Sequence, residues 1–247
     1  MWNEVGSIRK DPGGRLNVAL AFPGPYRVGM SNLGLHQMYR LLNAHPAIAC
    51  ERFFSDTPRS VESGRAMAQF HVIAFSVSYE PDAIEAVRML GDCGVTVEAE
   101  TRTGWPVVMA GGAAVTMNPE PLAPMCDICF LGDGEILVPH LAQAFSSSTS
   151  REEFLDRLGE SPGVYLPRLT RTMFEDSKIA GFLGPRPVIG LAGSLSDPAR
   201  TSVLTRDTAF GDMFLLETAR GCPFSCAFCS AREIYAPYRT APLEVLS

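Results

Sequence analysis

The sequence predicts an α/β fold: a doubly wound parallel sheet over residues 1–148, a linker over 149–212, and from residue 213 the first βα unit of a truncated barrel. Three observations carry this. Short apolar runs alternate with segments of helical period through the first 145 residues. Gly and Pro then crowd residues 181–198, where neither period survives. Finally, an apolar run at 213–218 leads straight into a cysteine-rich loop, as a barrel strand leads into a functional loop at its carboxyl end.

Residues 17–22 (NVALAF) read as a buried strand, and Leu35, Met38, Tyr39 and Leu42 recur at one face of a following helix. Ile48–Phe54 is a weaker second strand and residues 71–77 (HVIAFSV) a strong third. Pro81 suits the first turn of the next helix, whose inner face is Ala83, Ala86, Val87 and Leu90 and which Gly91 or Gly94 can end. Residues 106–110 and 127–131 are the fourth and fifth strands. Leu137, Leu141, Ala144 and Phe145 mark the closing helix. Strands apolar on both faces and separated by helices imply a parallel sheet covered on both sides. In the linker, Ser150 and Glu153 form a capping box before Phe154, Leu155 and Leu158, and residues 163–169 read as a strand. The run MFLLET at 213–218 is the barrel strand. Only 18 residues follow Cys229, whereas a βα barrel needs about 200 or more; one βα unit at most is present.

Ligands of such sheets bind beyond the carboxyl ends of the strands. The loops there are rich in small residues: 23–32 after the first strand, 76–80 after the third, 111–120 after the fourth, 132–135 after the fifth. They would let a bulky ligand touch backbone, although tight βα turns use Gly, Ser and Asn in any case.

Composition fits an intracellular enzyme. Of 247 residues 46% are hydrophobic, enough for a sizeable core. No run of 18 apolar residues predicts a membrane span, and the N-terminus lacks a basic run before an apolar stretch, so the expected location is cytoplasmic. A net charge of −6 gives no nucleic-acid footprint. Cys50, Cys93, Cys126 and Cys129 are scattered through apolar stretches, the thiol usage of a reducing compartment. Cys126 and Cys129 are spaced C-x2-C, as are Cys226 and Cys229, and paired motifs of this kind can bind zinc. An extended strand wraps poorly around a metal, however, and Cys126 and Cys129 read as buried small hydrophobes.

Residues 220–229 (RGCPFSCAFC) carry the most chemistry. Cys222, Cys226 and Cys229 are spaced C-x3-C-x2-C. Three thiolates on one short loop can each bind one iron of a [4Fe–4S] cluster and leave the fourth iron open. Gly221 permits an unusual backbone angle before the first ligand, and Pro223 stiffens the turn after it. A zinc site or three unrelated thiols are the alternatives.

This run, with Phe228 at its aromatic position, resembles the cluster loop of the radical S-adenosylmethionine (SAM) superfamily. The resemblance implies a [4Fe–4S] cluster on Cys222, Cys226 and Cys229. It also implies SAM chelated to the open iron, with Phe228 against its adenine. The implied reaction is reductive cleavage of SAM to methionine and a 5′-deoxyadenosyl radical that takes hydrogen from a substrate carbon. An electron donor of flavodoxin or ferredoxin type is the implied partner. The chain itself is then an incomplete, inactive fragment of such an enzyme.

A second resemblance covers residues 16–145. Ser-x-Ser after the third strand, Gly-Gly after the fourth and Gly-Asp-Gly-Glu after the fifth resemble the flavodoxin-like cobalamin (B12)-binding domain that precedes the barrel in many radical SAM enzymes. It implies that the cofactor's nucleotide tail meets Ser76, Ser78, Gly111 and Gly112, and that methyl transfer can follow radical formation. The D-x-H-x-x-G pattern of that domain is not matched: with Gly34 as its glycine, Ser31 stands at the histidine position and Gly29 at the aspartate position. His36 reads as an ordinary helix-surface residue. Two readings stay open, a domain that binds cobalamin and one that keeps the fold without it. The alternative functions are a methylthiotransferase-like enzyme modifying RNA or protein, which would need three further cysteines for a second cluster, and a non-catalytic cobalamin- or nucleotide-binding module.

Overall fold

The computed structural model describes residues 2–246. Its centre is a six-stranded sheet built from β1 (Leu16–Phe22), β2 (Ile48–Phe54), β3 (Val72–Ser76), β4 (Val107–Gly111), β5 (Ile128–Phe130) and β6 (Val164–Tyr165). The spatial order is β2-β1-β3-β4-β5-β6. The first five strands are parallel, in the 2-1-3-4-5 order of one common doubly wound sheet. β6 is antiparallel to β5, with Cys129 opposite Tyr165. The fully parallel sheet expected from the sequence is therefore mixed at one edge.

Every residue of β1 is buried, and successive side chains enter opposite cores. Leu16, Val18, Leu20 and Phe22 face α1 (Leu33–Ala44), α4 (Gly134–Ser146) and α5 (Arg151–Gly159). Ala19 and Ala21 face the side that holds α2 (Asp82–Asp92) and α3 (Ala113–Met117). This two-sided burial is why the strands read as apolar runs rather than as alternating patterns. Asn32 caps α1 by accepting from the Leu35 amide at 3.0 Å. In α2 the buried stripe runs through Ala86, Met89 and Leu90. It is rotated away from Val87, which is exposed, contrary to the face drawn from the sequence.

Residues placed in the linker add to this domain. The Ser150 hydroxyl accepts from the Glu153 amide at 3.1 Å, one half of the expected capping box, while the Glu153 carboxylate accepts from the Thr149 amide at 2.8 Å rather than from Ser150. Phe154, Leu155 and Leu158 of α5 join the larger core. The strand expected at 163–169 is only Val164–Tyr165, because Pro167 opens a single 3-10 turn. A hairpin of β7 (Arg171–Glu175) and β8 (Lys178–Leu183) follows, turning through Asp176 and Ser177, both at positive φ. It lacks the Asn-Gly or Asp-Gly signal that marks such turns.

From residue 185 the chain returns across the carboxyl rim of the sheet as a strap. Gly190 pairs with Gly132, and Leu204–Thr205 pair with Glu4–Val5. The expected barrel strand at 213–218 is not a buried strand. It meets the strap at one bridge, Arg200 to Leu216, while Met213 and Phe214 are 61% and 58% exposed. Among the described residues no further strands flank it, so its apolar side chains lack a second layer. Only Ala219–Arg220 forms a ladder, antiparallel to Arg239–Thr240, and the following helix, Ala231–Ile234, is a single turn. No helix among the described residues is long and apolar enough to cross a membrane.

Candidate functional site

A cavity of about 690 Å³ lies at the carboxyl ends of β1, β3, β4 and β5. This is the switch point of the sheet, where β1 and β3 are neighbours but their connections leave in opposite directions. Leu20, Ala74, Met109 and Phe130 form an apolar floor, and Met38 and Leu137 reach in from α1 and α4. Polar groups stand at its edge: Asn32, Gln37 and Thr116. The Asn32 side-chain amide donates to the Ser78 hydroxyl at 3.1 Å, tying the first loop to the third. Ser76, Ser78, Gly111 and Gly112, assigned from sequence to a cofactor tail, all lie on the wall of this one cavity. Such a volume with a few convergent polar groups is typical of a small-molecule or cofactor site.

The opposite wall comes from the returning chain. Ala199, Glu217, Ala219, Arg220 and Gly221 close over the rim, with Tyr235 behind them. Gly221, at φ +84, turns the chain out of the cavity, and a Cβ there would sit 2.7 Å from the Tyr235 carbonyl oxygen. Cys222 comes next and is partly buried; Cys226 and Cys229 are exposed. The Cys229 amide donates to the Cys226 carbonyl at 3.1 Å, so the second half of the motif is a turn. The Phe228 ring is 92% exposed. The three thiols are unbridged and reach solvent, a donor set suited to an iron–sulfur cluster. Among the described residues no three His, Cys, Asp or Glu side chains are gathered closely enough to hold a metal.

The rim also carries a cluster of ion pairs that the sequence did not reveal. Arg220 donates to Asp133 Oδ1 at 2.8 Å, to Glu135 Oε1 at 2.7 Å and to Glu217 Oε1 at 2.8 Å. Arg239 donates to Asp133 Oδ2 at 2.6 Å, and the Ala192 amide donates to the same oxygen at 2.9 Å. Burial alone would raise the Asp133 pKa, but hydrogen bonds from Arg239 and Ala192 and the Arg220 charge hold it below the usual carboxylate range. Burial likewise disfavours the Arg220 charge, and its bonds to Glu217 and Glu135 more than restore it. The Gly-Asp-Gly-Glu turn, read as a ligand loop, thus spends its two carboxylates on the segment that leads into Cys222.

His36 corrects another expectation. It is 3% exposed, not on the helix surface. Its Nε2–H donates to the Met30 carbonyl at 2.9 Å, and Nδ1 accepts from the Ser202 amide at 3.2 Å. The strap covers this helix face, which the sequence of α1 alone does not report. Among the described residues no histidine lines the cavity, so these residues offer a cobalamin there no imidazole for its cobalt. At Gly112, φ +114, a Cβ would sit 2.5 Å from the Val77 carbonyl oxygen, so this glycine answers to the chain's own close packing. Cys50, Cys126 and Cys129 are buried in the core, as expected of small hydrophobes. The hydrogen bond with Cys129, together with burial, pushes the Cys126 thiol well up.

Residues 34–167 match the family described as radical SAM proteins, N-terminal. The chain is also 26% identical over 232 residues to an uncharacterized protein of Methanocaldococcus jannaschii; the match covers 93% of this chain and 44% of that protein. The chain thus spans less than half the length of that relative.

Proposed function

The chain belongs to the radical SAM proteins through their N-terminal family, and from that premise we propose that it forms the cofactor-binding front of a radical SAM iron–sulfur enzyme. Cys222, Cys226 and Cys229 hold a [4Fe–4S] cluster, SAM occupies the open iron, and Phe228 covers the adenine. The cavity at the sheet rim receives cobalamin through Ser76, Ser78, Gly111 and Gly112. When bound, the cluster supplies the electron that cleaves SAM, and cobalamin supplies a methyl group for transfer. The observation that carries this reading is the shared wall: Glu217, Ala219, Arg220 and Gly221 border the cavity and run directly into Cys222. A molecule held at the rim therefore lies beside the cysteine loop.

The chain's own residues prepare the site. Leu20, Phe130, Met38 and Met109 keep water from the cavity floor, while Asn32, Ser78, Gln37 and Thr116 offer hydrogen bonds at its edge. The solvent-facing Phe228 ring is free to stack on a base. None of the other four cysteines lines the cavity, so no observation favours a methylthiotransferase with a second cluster.

Anaerobic reconstitution tests the cluster. About four irons per chain are expected in the protein and none after Cys226→Ser; iron uptake unaffected by that substitution refutes the assignment. Spectral titration with hydroxocobalamin tests the cavity. Gly111→Leu suits this arm, since a Cβ there meets nothing nearer than the Phe130 carbonyl oxygen at 3.5 Å. The leucine fills the cavity without disturbing the strand, so binding by the parent and loss in the variant are expected. No binding by the parent leaves the fold without the cofactor.

A further inference from the structure

We propose that Arg220 is the positioning residue of the cysteine loop, its guanidinium seated in a socket formed by Asp133 and Glu135 of the turn that opens α4. The inference deepens the reading of residues 222–229 as a cluster loop and rests on it.

The argument begins with connectivity. Arg220 and Arg239 face each other across the two-residue ladder that brackets residues 221–238, the stretch carrying all three cysteines and Phe228. Both guanidiniums converge on the one carboxylate of Asp133, at 2.8 Å and 2.6 Å. Both stems of the loop are therefore pinned to the same point on the rim of the sheet. A loop so held has its ends fixed while its tip, with Cys226, Cys229 and Phe228, stays exposed.

The second argument is the fit of the side chain. Arg220 uses Nε, Nη1 and Nη2 on three different carboxylates, and only 11% of its side chain is exposed. A planar fork can meet three acceptors at once; an ammonium is a point charge and cannot reproduce that geometry. The charges nearly cancel, two guanidiniums against Asp133, Glu135 and Glu217. Removing Arg220 leaves three carboxylates converging with Arg239 alone to answer them, which drives the stems apart.

The third argument is location. Among the described residues, two more deeply buried networks are Arg52 with Glu62 and Glu4, and Arg102 and Arg151 with Asp127. Neither touches the cavity. Asp133, Glu135, Glu217 and Arg220 all line it. The groups that register the loop are thus the groups a cavity ligand meets, so the latch ties the rim and the loop together.

The test reads the loop directly in iron-free protein. Maleimide alkylation of each cysteine, followed by mass spectrometry, and amide exchange over residues 219–222 are compared in the parent, Arg220→Gln, Arg220→Lys and Glu135→Gln. In Arg220→Gln the alkylation of Cys222 is expected to rise at least about tenfold, the opening that loss of one hydrogen bond to a charged group allows. Cys226 and Cys229, already exposed, change little, and Arg220→Lys restores only part of the protection. Unchanged alkylation and exchange in Arg220→Gln overturn the proposal. If that variant also exposes the core thiols Cys126 and Cys129, it has unfolded, and Glu135→Gln decides by the same measurement: selective exposure of Cys222 supports the latch, and no change overturns it. Iron reconstitution separates the two readings. A parent that takes up no iron but shows the Cys222 effect keeps the latch and loses the cluster. Iron uptake with no Cys222 effect does the reverse. In a parent that takes up iron, Arg220→Lys is expected to keep its iron content while shifting the electron paramagnetic resonance signal of the reduced cluster. An unmoved signal counts against a positioning role.

Discussion

Replacing Gly132 with alanine should release the strap from the sheet, whereas the same change two residues later should not. Gly132 adopts φ +119, and a Cβ built on it lands on the Gly190 carbonyl oxygen and 2.8 Å from its carbon. These atoms are backbone, so they move only if the strap moves. The left-handed conformation costs an L-residue about 1–2 kcal/mol. Displacing the strap breaks two backbone hydrogen bonds, Gly190 N–H to Leu131 O at 2.8 Å and Asp133 N–H to Gly190 O at 2.9 Å. At about 1 kcal/mol each, the total for Gly132→Ala is about 3–4 kcal/mol. For a chain of this size that lowers the thermal midpoint by about 10 °C. At Gly134 the new Cβ meets the Met38 sulfur, the end of a flexible side chain that can turn aside. Gly134 opens α4 with no positive φ, and alanine recovers part of the ~1 kcal/mol that glycine costs a helix. Gly134→Ala should therefore stay within about 1 kcal/mol of the parent, or about 3 °C. The assay is thermal denaturation followed by circular dichroism, with amide exchange at Asp133 and Gly190 reporting the strap. Equal midpoints for the two variants, or protected Asp133 and Gly190 amides in Gly132→Ala, would refute this reasoning.

His36 and His71 should make stability fall on acidification. Burial lowers the pKa of His36 against the opposing Met30 hydrogen bond, and burial and Arg65 lower that of His71. The unfolded chain then binds more protons below its ordinary histidine pKa, so stability is full above it and is lost as pH falls. The thermal midpoint is expected to drop from about pH 7.5 to about pH 5.5, and His36→Gln, which can keep both hydrogen bonds, should remove part of that slope; a midpoint that rises on acidification contradicts the assignment. The exposed pair Met213 and Phe214 should promote self-association, as unpartnered apolar surface does. Light scattering is expected to show larger species for the 247-residue chain than for its Met213→Ser, Phe214→Ser variant, and a monodisperse monomer for both would show that this surface is harmless.

What the sequence by itself determined is what neighbouring residues settle among themselves. The five parallel strands follow from short apolar runs, α1 from the helical period of Leu35, Met38, Tyr39 and Leu42, and α5 from its Ser150 cap. The cysteine motif is likewise local, because its three cysteines lie within eight residues of each other. The strand order, the edge strand Val164–Tyr165 and the burial of His36 were decided only by tertiary structure. Each depends on which distant segment comes to lie alongside: β6 against β5, and the strap against α1. The Met213–Thr218 run shows the reverse case, where local apolar character suggested a buried strand but no flanking layer is present among the described residues. The electrostatic site is the clearest example. Asp133 and Arg220 are 87 residues apart, and Asp133 and Arg239 are 106 apart. In the sequence they are ordinary charges; their pairing exists because the fold buries them at one rim, where low exposure makes an unpaired charge costly and selects the partners that neutralise it.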